Sequence, residues 1–130
     1  MAYTSCVNVA IKESDYNKIK SDSFFDELLI NVSKRVIYDE NGKKICILKW
    51  NNVKWYTTRD DVVSIIDIFM NRLRSLAEYE YLRLGQDVDD IEHEMKFLGR
   101  AYFSFNDKIR SLTSFSLCPH RYLMQYFSQQ

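Results

Sequence analysis

The sequence predicts an α+β fold: a single-layer antiparallel sheet with two helices on one face, in the ferredoxin-like βαββαβ order, with an extra hairpin strand and a C-terminal helical extension. Three observations carry this expectation. A run of period-two apolar residues opens the chain at Cys6. An Asn41-Gly42 turn signal separates two β-rich runs. A helical apolar stripe between Val62 and Leu76 then leads into another strand-like run at Tyr79.

In the first strand, Val7, Val9 and Ile11 share one side, which marks a half-buried strand of β-branched residues. Ser14-Asp15 offers a helix start, followed by Tyr16 and Ile19. Ser23 with Asp26 offers a second, as a weak capping box. Phe24, Leu28 and Val32 continue at helical spacing, so 14–32 reads as one broken helix or two short ones.

Arg35–Glu40 and Lys43–Trp50 meet across Asn41-Gly42, a pair that takes positive φ at both positions of a two-residue turn. Asn51-Asn52 reads as a second tight turn into Val53–Thr57, the extra strand of a meander. The middle strand is apolar on both faces, as a central strand is. Thr58 followed by Asp60 and Asp61 predicts the start of a helix of about 17 residues, with acids facing the positive dipole end. The strand Tyr79–Leu84 completes the βαββαβ order. A simpler α+β sheet packed by the same helices is the alternative.

The last third is less regular. Asp89–Leu98 predicts a short helix, and Ala101–Phe105 has strand character. Pro119 can open a final helix in which Tyr122, Leu123, Tyr126 and Phe127 share a face. That face closes the open side of the sheet or packs on a second copy of the chain.

A chain of 130 residues is one domain on size, with a core unit at 1–85 and an acidic and aromatic extension at 86–130. It can bury roughly 65–70% of its unfolded surface, enough for a core without staples. Three cysteines without a pairing rhythm predict reduced thiols in the cytoplasm. No apolar run has the length of a membrane span, and the N-terminus lacks the pattern of a signal peptide. The balance of 18 basic and 18 acidic residues gives no global field toward nucleic acid or membrane.

The charge is unevenly distributed. Asp87, Asp89, Asp90, Glu92 and Glu94 place five carboxylates within eight residues, with His93 among them. Three readings compete. Metal chemistry needs carboxylates converging from separate elements, with Asp67 or Glu80 as the partners, and the glycine precedes the acids where a calcium loop needs it inside. Solvation needs only an exposed loop or helix N-terminus. Recognition makes the acids a strip that meets basic groups on a partner, with Tyr79 and Tyr81 as neighbouring anchors. No Cys pair supports a zinc site with Cys118 and His120, and no third group supports a Cys–His nucleophile.

A nucleic-acid reading rests on Lys43, Lys44, Lys49 and Lys54 around the hairpins, with Trp50 and Trp55 as sheet aromatics for base stacking. The RNA-recognition consensus is absent.

Two patches, Trp50–Tyr56 and Tyr79–Glu92, resemble patterns in small uncharacterised proteins of bacteriophages and prophages, and the Lys, Asn, Ile and Tyr usage is in keeping with an AT-rich genome. The resemblance implies a compact, cofactor-free accessory protein of the host cytoplasm, a class that includes inhibitors of host defence such as anti-CRISPR proteins. Some of those occupy a nucleic-acid channel with an acidic surface. With net charge zero, mimicry of that kind is local here.

The leading expectation is therefore a non-enzymatic protein that docks on a host protein through the acid strip. The alternatives are a small RNA- or single-strand-binding domain and a metal-dependent nuclease.

Overall fold

The computed structural model describes residues 3–55, 64–87, 89–96 and 102–103. The fold is α+β, a five-stranded antiparallel sheet with three short helices. The strands are β1 (Ser5–Lys12), β2 (Ser33–Tyr38), β3 (Lys44–Val53), β4 (Tyr79–Leu84) and β5 (Ile91–Lys96). Their order across the sheet is β2-β3-β1-β4-β5, with every neighbouring pair antiparallel. The helices are α1 (Glu13–Lys20), α2 (Asp26–Leu29) and α3 (Ile65–Arg74), and a 3-10 turn at Ser23–Phe25 leads into α2.

β1 is the central strand, and its alternation sorts the two faces. Val7, Val9 and Ile11 are fully buried in a cluster with Tyr16 and Ile19 of α1, Phe25, and Ile66, Phe69, Met70 and Leu73 of α3. Cys6 and Ala10 fall on the other side with Ile45, Ile47, Leu82, Leu84, Tyr102 and Phe103. β1 is therefore buried on both faces rather than half-buried as its alternation suggests, because it lies at the centre of the sheet. The described helices thus cover one face, and the segment at Tyr102–Phe103 covers part of the second. Trp50 joins β3 to the helical layer, its Nε1–H donating to the Leu28 carbonyl at 2.8 Å.

Four further local expectations are corrected. Asn51-Asn52 is not a turn, because β3 runs through it to Val53. The register moves from Val7–Trp50 to Ser5–Val53, so two residues of β3 oppose one of β1. Such a bulge needs one residue with unusual backbone, and Asn52 takes φ 53°, a region asparagine tolerates. No separate strand forms at 53–55, and 56–57 lie outside the described residues.

The first hairpin is also wider than two residues. Asp39 N–H donates to the Lys43 carbonyl, and Gly42 N–H to the Asp39 carbonyl, which leaves Glu40, Asn41 and Gly42 as the loop. Within this loop only Gly42 has positive φ, at 79°. The Asp39 carboxylate decides this geometry by accepting from the amides of Asn41 and Lys43 at 2.9 and 2.7 Å.

Helix α3 is capped by Ser64, whose Oγ accepts from the Asp67 amide at 3.1 Å, so the described helix starts later than Thr58. Thr58 and Val62 lie outside the described residues.

The fourth correction concerns Asp89–Leu98. Its described part, Ile91–Lys96, is strand β5 paired with β4, not a helix. The sheet therefore extends beyond the 1–85 unit. Tyr102 and Phe103 are bends rather than strand, and the helix expected after Pro119 lies outside the described residues.

Candidate functional site

The acidic segment is the turn and second arm of the β4–β5 hairpin. Its shape follows from two backbone contacts: Gly85 N–H donates to the Asp90 carbonyl at 2.8 Å, and Asp90 N–H to the Asp87 carbonyl at 3.0 Å. A side chain at Gly85 would run into the Asp90 carboxylate and the Tyr3 hydroxyl, so glycine is required by close approach.

On the helix-facing side, β4 presents Tyr79, Tyr81 and Arg83 and β5 presents Glu92, Glu94 and Lys96. The side chains lean along the strands, so each β4 group reaches the acid beyond its direct partner. Tyr79 lies opposite Lys96 and donates to Glu94 at 3.0 Å. Tyr81 lies opposite Glu94 and donates to Glu92 at 3.2 Å. Arg83 lies opposite Glu92, donates to it at 2.7 Å, and reaches on to Asp90 at 2.6 and 3.2 Å. It also donates to Ser5 Oγ at 3.0 Å, which ties the hairpin to β1.

Helix α3 joins the same ladder. Arg74 grips Glu94 with two hydrogen bonds, at 3.0 and 2.7 Å. Lys96 Nζ donates to the carbonyls of Arg74 and Leu76 at the helix C-terminus, where a cation is favoured.

The titration of these groups follows from the contacts. The hydrogen bonds from Arg83 hold Asp90 below the usual carboxylate range against the opposing effect of burial, and Tyr3 adds a further donor. Arg74 does the same for Glu94, again against burial. Burial works against the Arg83 charge, but Asp90 and Glu92 outweigh it and raise its pKa. Tyr81 is raised by burial and then by the Glu92 charge.

The acid strip is thus largely answered within the chain. Asp90, Glu92 and Glu94 carry three negative charges, and Arg74, Arg83 and Lys96 place three positive ones among them. Asp87 and Asp89, at the turn, are exposed. Tyr79 and Tyr81 are 7% and 2% exposed, so they are packed parts of the hairpin and offer no exposed anchor.

On the second side of the hairpin Glu80 has no exposed surface. It accepts from the amides of Tyr102 and Phe103 and lies 2.7 Å from His93 Nε2. The sequence offers Glu80 only as a candidate metal partner, not for this role. The available signal was its parity, since it alternates in step with Leu82 and Leu84.

The hairpin lysines do not converge. Lys43 pairs with Glu78 at 2.9 Å, and Lys44 lies 4.0 Å from Glu13. Lys44 and Lys49 fall on opposite faces of β3 by alternation, and Lys54 is exposed beyond its end. Trp50 and Trp55 are 3% and 6% exposed and pack against Phe69, so both rings belong to the core rather than to an open sheet face. They line one wall of a cleft of about 320 Å3 whose rim carries Glu27, Asn31 and Lys54.

Among the described residues no group of three or more His, Cys, Asp or Glu side chains is placed to hold a metal ion. Asp67 is engaged with its own cap, Ser64. Cys6 and Cys46 are buried thiols, and burial raises that of Cys46. No described helix is long and apolar enough to cross a membrane. Tyr122, Leu123, Tyr126, Phe127, Cys118 and His120 lie outside the described residues.

Comparison with known proteins returns no matching family model, no matching curated protein and no matching solved structure.

Proposed function

We propose that the chain is a non-enzymatic binding protein that docks on a host protein through the tip of the β4–β5 hairpin and the outer arm β5, which is terminal among the described strands. The observation that carries this reading is the contrast along the hairpin. Asp90, Glu92 and Glu94 are paired with cations of the chain, while Asp87 and Asp89 are exposed at the turn next to the exposed Ile91, and Met95 is exposed further along β5. A hairpin with a charged tip and exposed apolar residues along its outer arm combines steering with area to bury. The held acids act by bracing the arm that presents the tip.

The phage-inhibitor class suggested by the sequence patterns belongs to this proposal, as does a host-cell cytoplasm, which the buried thiols of Cys6 and Cys46 favour. So does the finer fold reading. A ferredoxin-like unit in β1–β4 is supported by the order β2-β3-β1-β4, its antiparallel pairings and the helices on one face, with β5 added at the β4 edge.

The test is the D87K/D89K double variant in cross-linked capture from bacterial lysate. The wild-type chain retains a partner that the variant loses at an unchanged melting temperature. Equal capture by both proteins overturns the reading. Reversing Asp90 or Glu92 would not serve, because Arg83 depends on both.

A further inference from the structure

The opposite edge of the sheet carries a different pattern. β2 is a terminal strand, hydrogen-bonded to β3 alone among the described strands. Its outer backbone groups form the kind of row that accepts another strand. The sequence there runs Lys34-Arg35, then Val36-Ile37-Tyr38, then Asp39-Glu40. Two bases, three apolar residues and two acids are self-complementary when the strand meets an antiparallel copy of itself. In a parallel, in-register pairing, like charges would meet like.

We propose that β2 is a homodimer interface, in which two chains pair their β2 strands antiparallel about a two-fold axis at Ile37, joining two five-stranded sheets into one. The axis at Ile37 keeps side chains on matching faces, because opposed residues then differ by an even number of positions. Val36 lies opposite the partner copy's Tyr38, a β-branched and aromatic pair of the kind that stabilises antiparallel strands. Arg35 meets Asp39, and Lys34 meets the turn residue Glu40. Symmetry makes each of these pairs twice.

The surroundings fit an interface. Tyr38 is 62% exposed, and Ile30, just ahead of the strand, is 76% exposed. Lys34 is exposed, with its ammonium 4.8 Å from the Tyr16 ring centroid. Glu40 is exposed at the turn. Asp39 already holds the turn amides through Oδ1, so the Lys34–Glu40 contact is the one to test. The other edge does not offer the same match: self-pairing of β5 about His93 would set Glu92 against Glu94.

The experiment is sedimentation equilibrium of the full chain across the micromolar range at about 50 mM salt, where surface charges are least screened. The wild type is expected to dimerise. K34E and E40K are each expected to raise the dissociation constant at least about fivefold, because each replaces two attractions with two repulsions. The K34E/E40K double variant, with the pair restored in reverse, is expected to recover the wild-type value. Circular dichroism of each variant checks the fold. A monomer throughout the range, a dimer indifferent to both single changes, or a double variant no tighter than the singles overturns the proposal.

Discussion

Arg83 and Asp90 close the β4–β5 hairpin as a forked pair, with Nη2 donating to Oδ1 at 2.6 Å and Nη1 to Oδ2 at 3.2 Å. The guanidinium side chain is 11% exposed and the carboxylate 30%. A pair this shielded is weak evidence of net stabilisation, but removing one partner is costly because the other keeps its charge without its donor. Arg83→Met is expected to lower unfolding stability by about 2–3 kcal/mol in urea titrations, with Ser5 and Asp90 both losing a donor. Glu92→Gln, on a side chain 51% exposed, is expected to cost under about 1 kcal/mol. Equal losses for the two would contradict this placement of Arg83.

The depressed carboxylates give a signed pH dependence. Asp90 and Glu94 have lower pKa values in the folded chain, through Arg83 and Arg74 respectively. The unfolded chain therefore binds more protons in acid. The stability these two groups contribute is fully present above their unfolded pKa values, roughly 4, and is lost as pH falls through the folded ones. The melting temperature is expected to fall below about pH 4. A D90N/E94Q variant is expected to start lower at neutral pH and to fall less steeply in acid. Parallel acid limbs for the two proteins would show that these carboxylates do not carry the effect.

Glycines 42 and 85 make a matched pair of tests. Gly85→Ala places a methyl group against the Asp90 carboxylate and the Tyr3 hydroxyl, and Asp90 is held by Arg83 and cannot yield easily. The expected cost is about 1–3 kcal/mol, from overpacking. At Gly42 the added methyl meets nothing within 4 Å, but φ is +79°, so the expected cost is about 1 kcal/mol of backbone strain. The two also differ in kind. Only Gly85→Ala is expected to disturb the NMR signals of Tyr3 and Asp90.

Much of this arrangement was legible in the sequence, and the exceptions have physical reasons. The stripe along α3 is readable because the helix buries one face against the core, whereas β1, whose alternation suggests a half-buried strand, also buries its second face through Cys6, Asn8 and Ala10. The Asn51-Asn52 bulge reads as a turn in the sequence because asparagine suits both, and only pairing with β1 separates them. β5 reads as a helix in the sequence because acids near a helix start and acids on an outer strand look alike locally. What decides is the register that sets Glu92 opposite Arg83 and Tyr81 opposite Glu94, a non-local fact. The same holds for the acid strip. Its negative charge was visible, but the cations that answer it come from α3 and β4.

Glu80 is the strongest case of a residue whose role only the folded chain reveals. Its carboxylate has no exposed surface and takes the amides of Tyr102 and Phe103, with His93 at 2.7 Å. Those contacts fasten Tyr102 and Phe103, 3% and 0% exposed, over Cys6, Ala10, Ile45, Ile47, Leu82 and Leu84. A carboxylate is well suited here because it accepts several donors and presents none of its own. Glu80→Gln keeps the shape but turns an N–H2 toward one of the incoming donors, leaving a buried contact without a partner. The expected loss is about 2–3 kcal/mol, as for hydrogen bonds to a charged group. The more specific readout is amide hydrogen exchange. In the variant, exchange at Tyr102 and Phe103 is expected to accelerate well beyond that at the central amides of β1. Uniform acceleration across the sheet would mean that Glu80 supports global stability without fastening this segment.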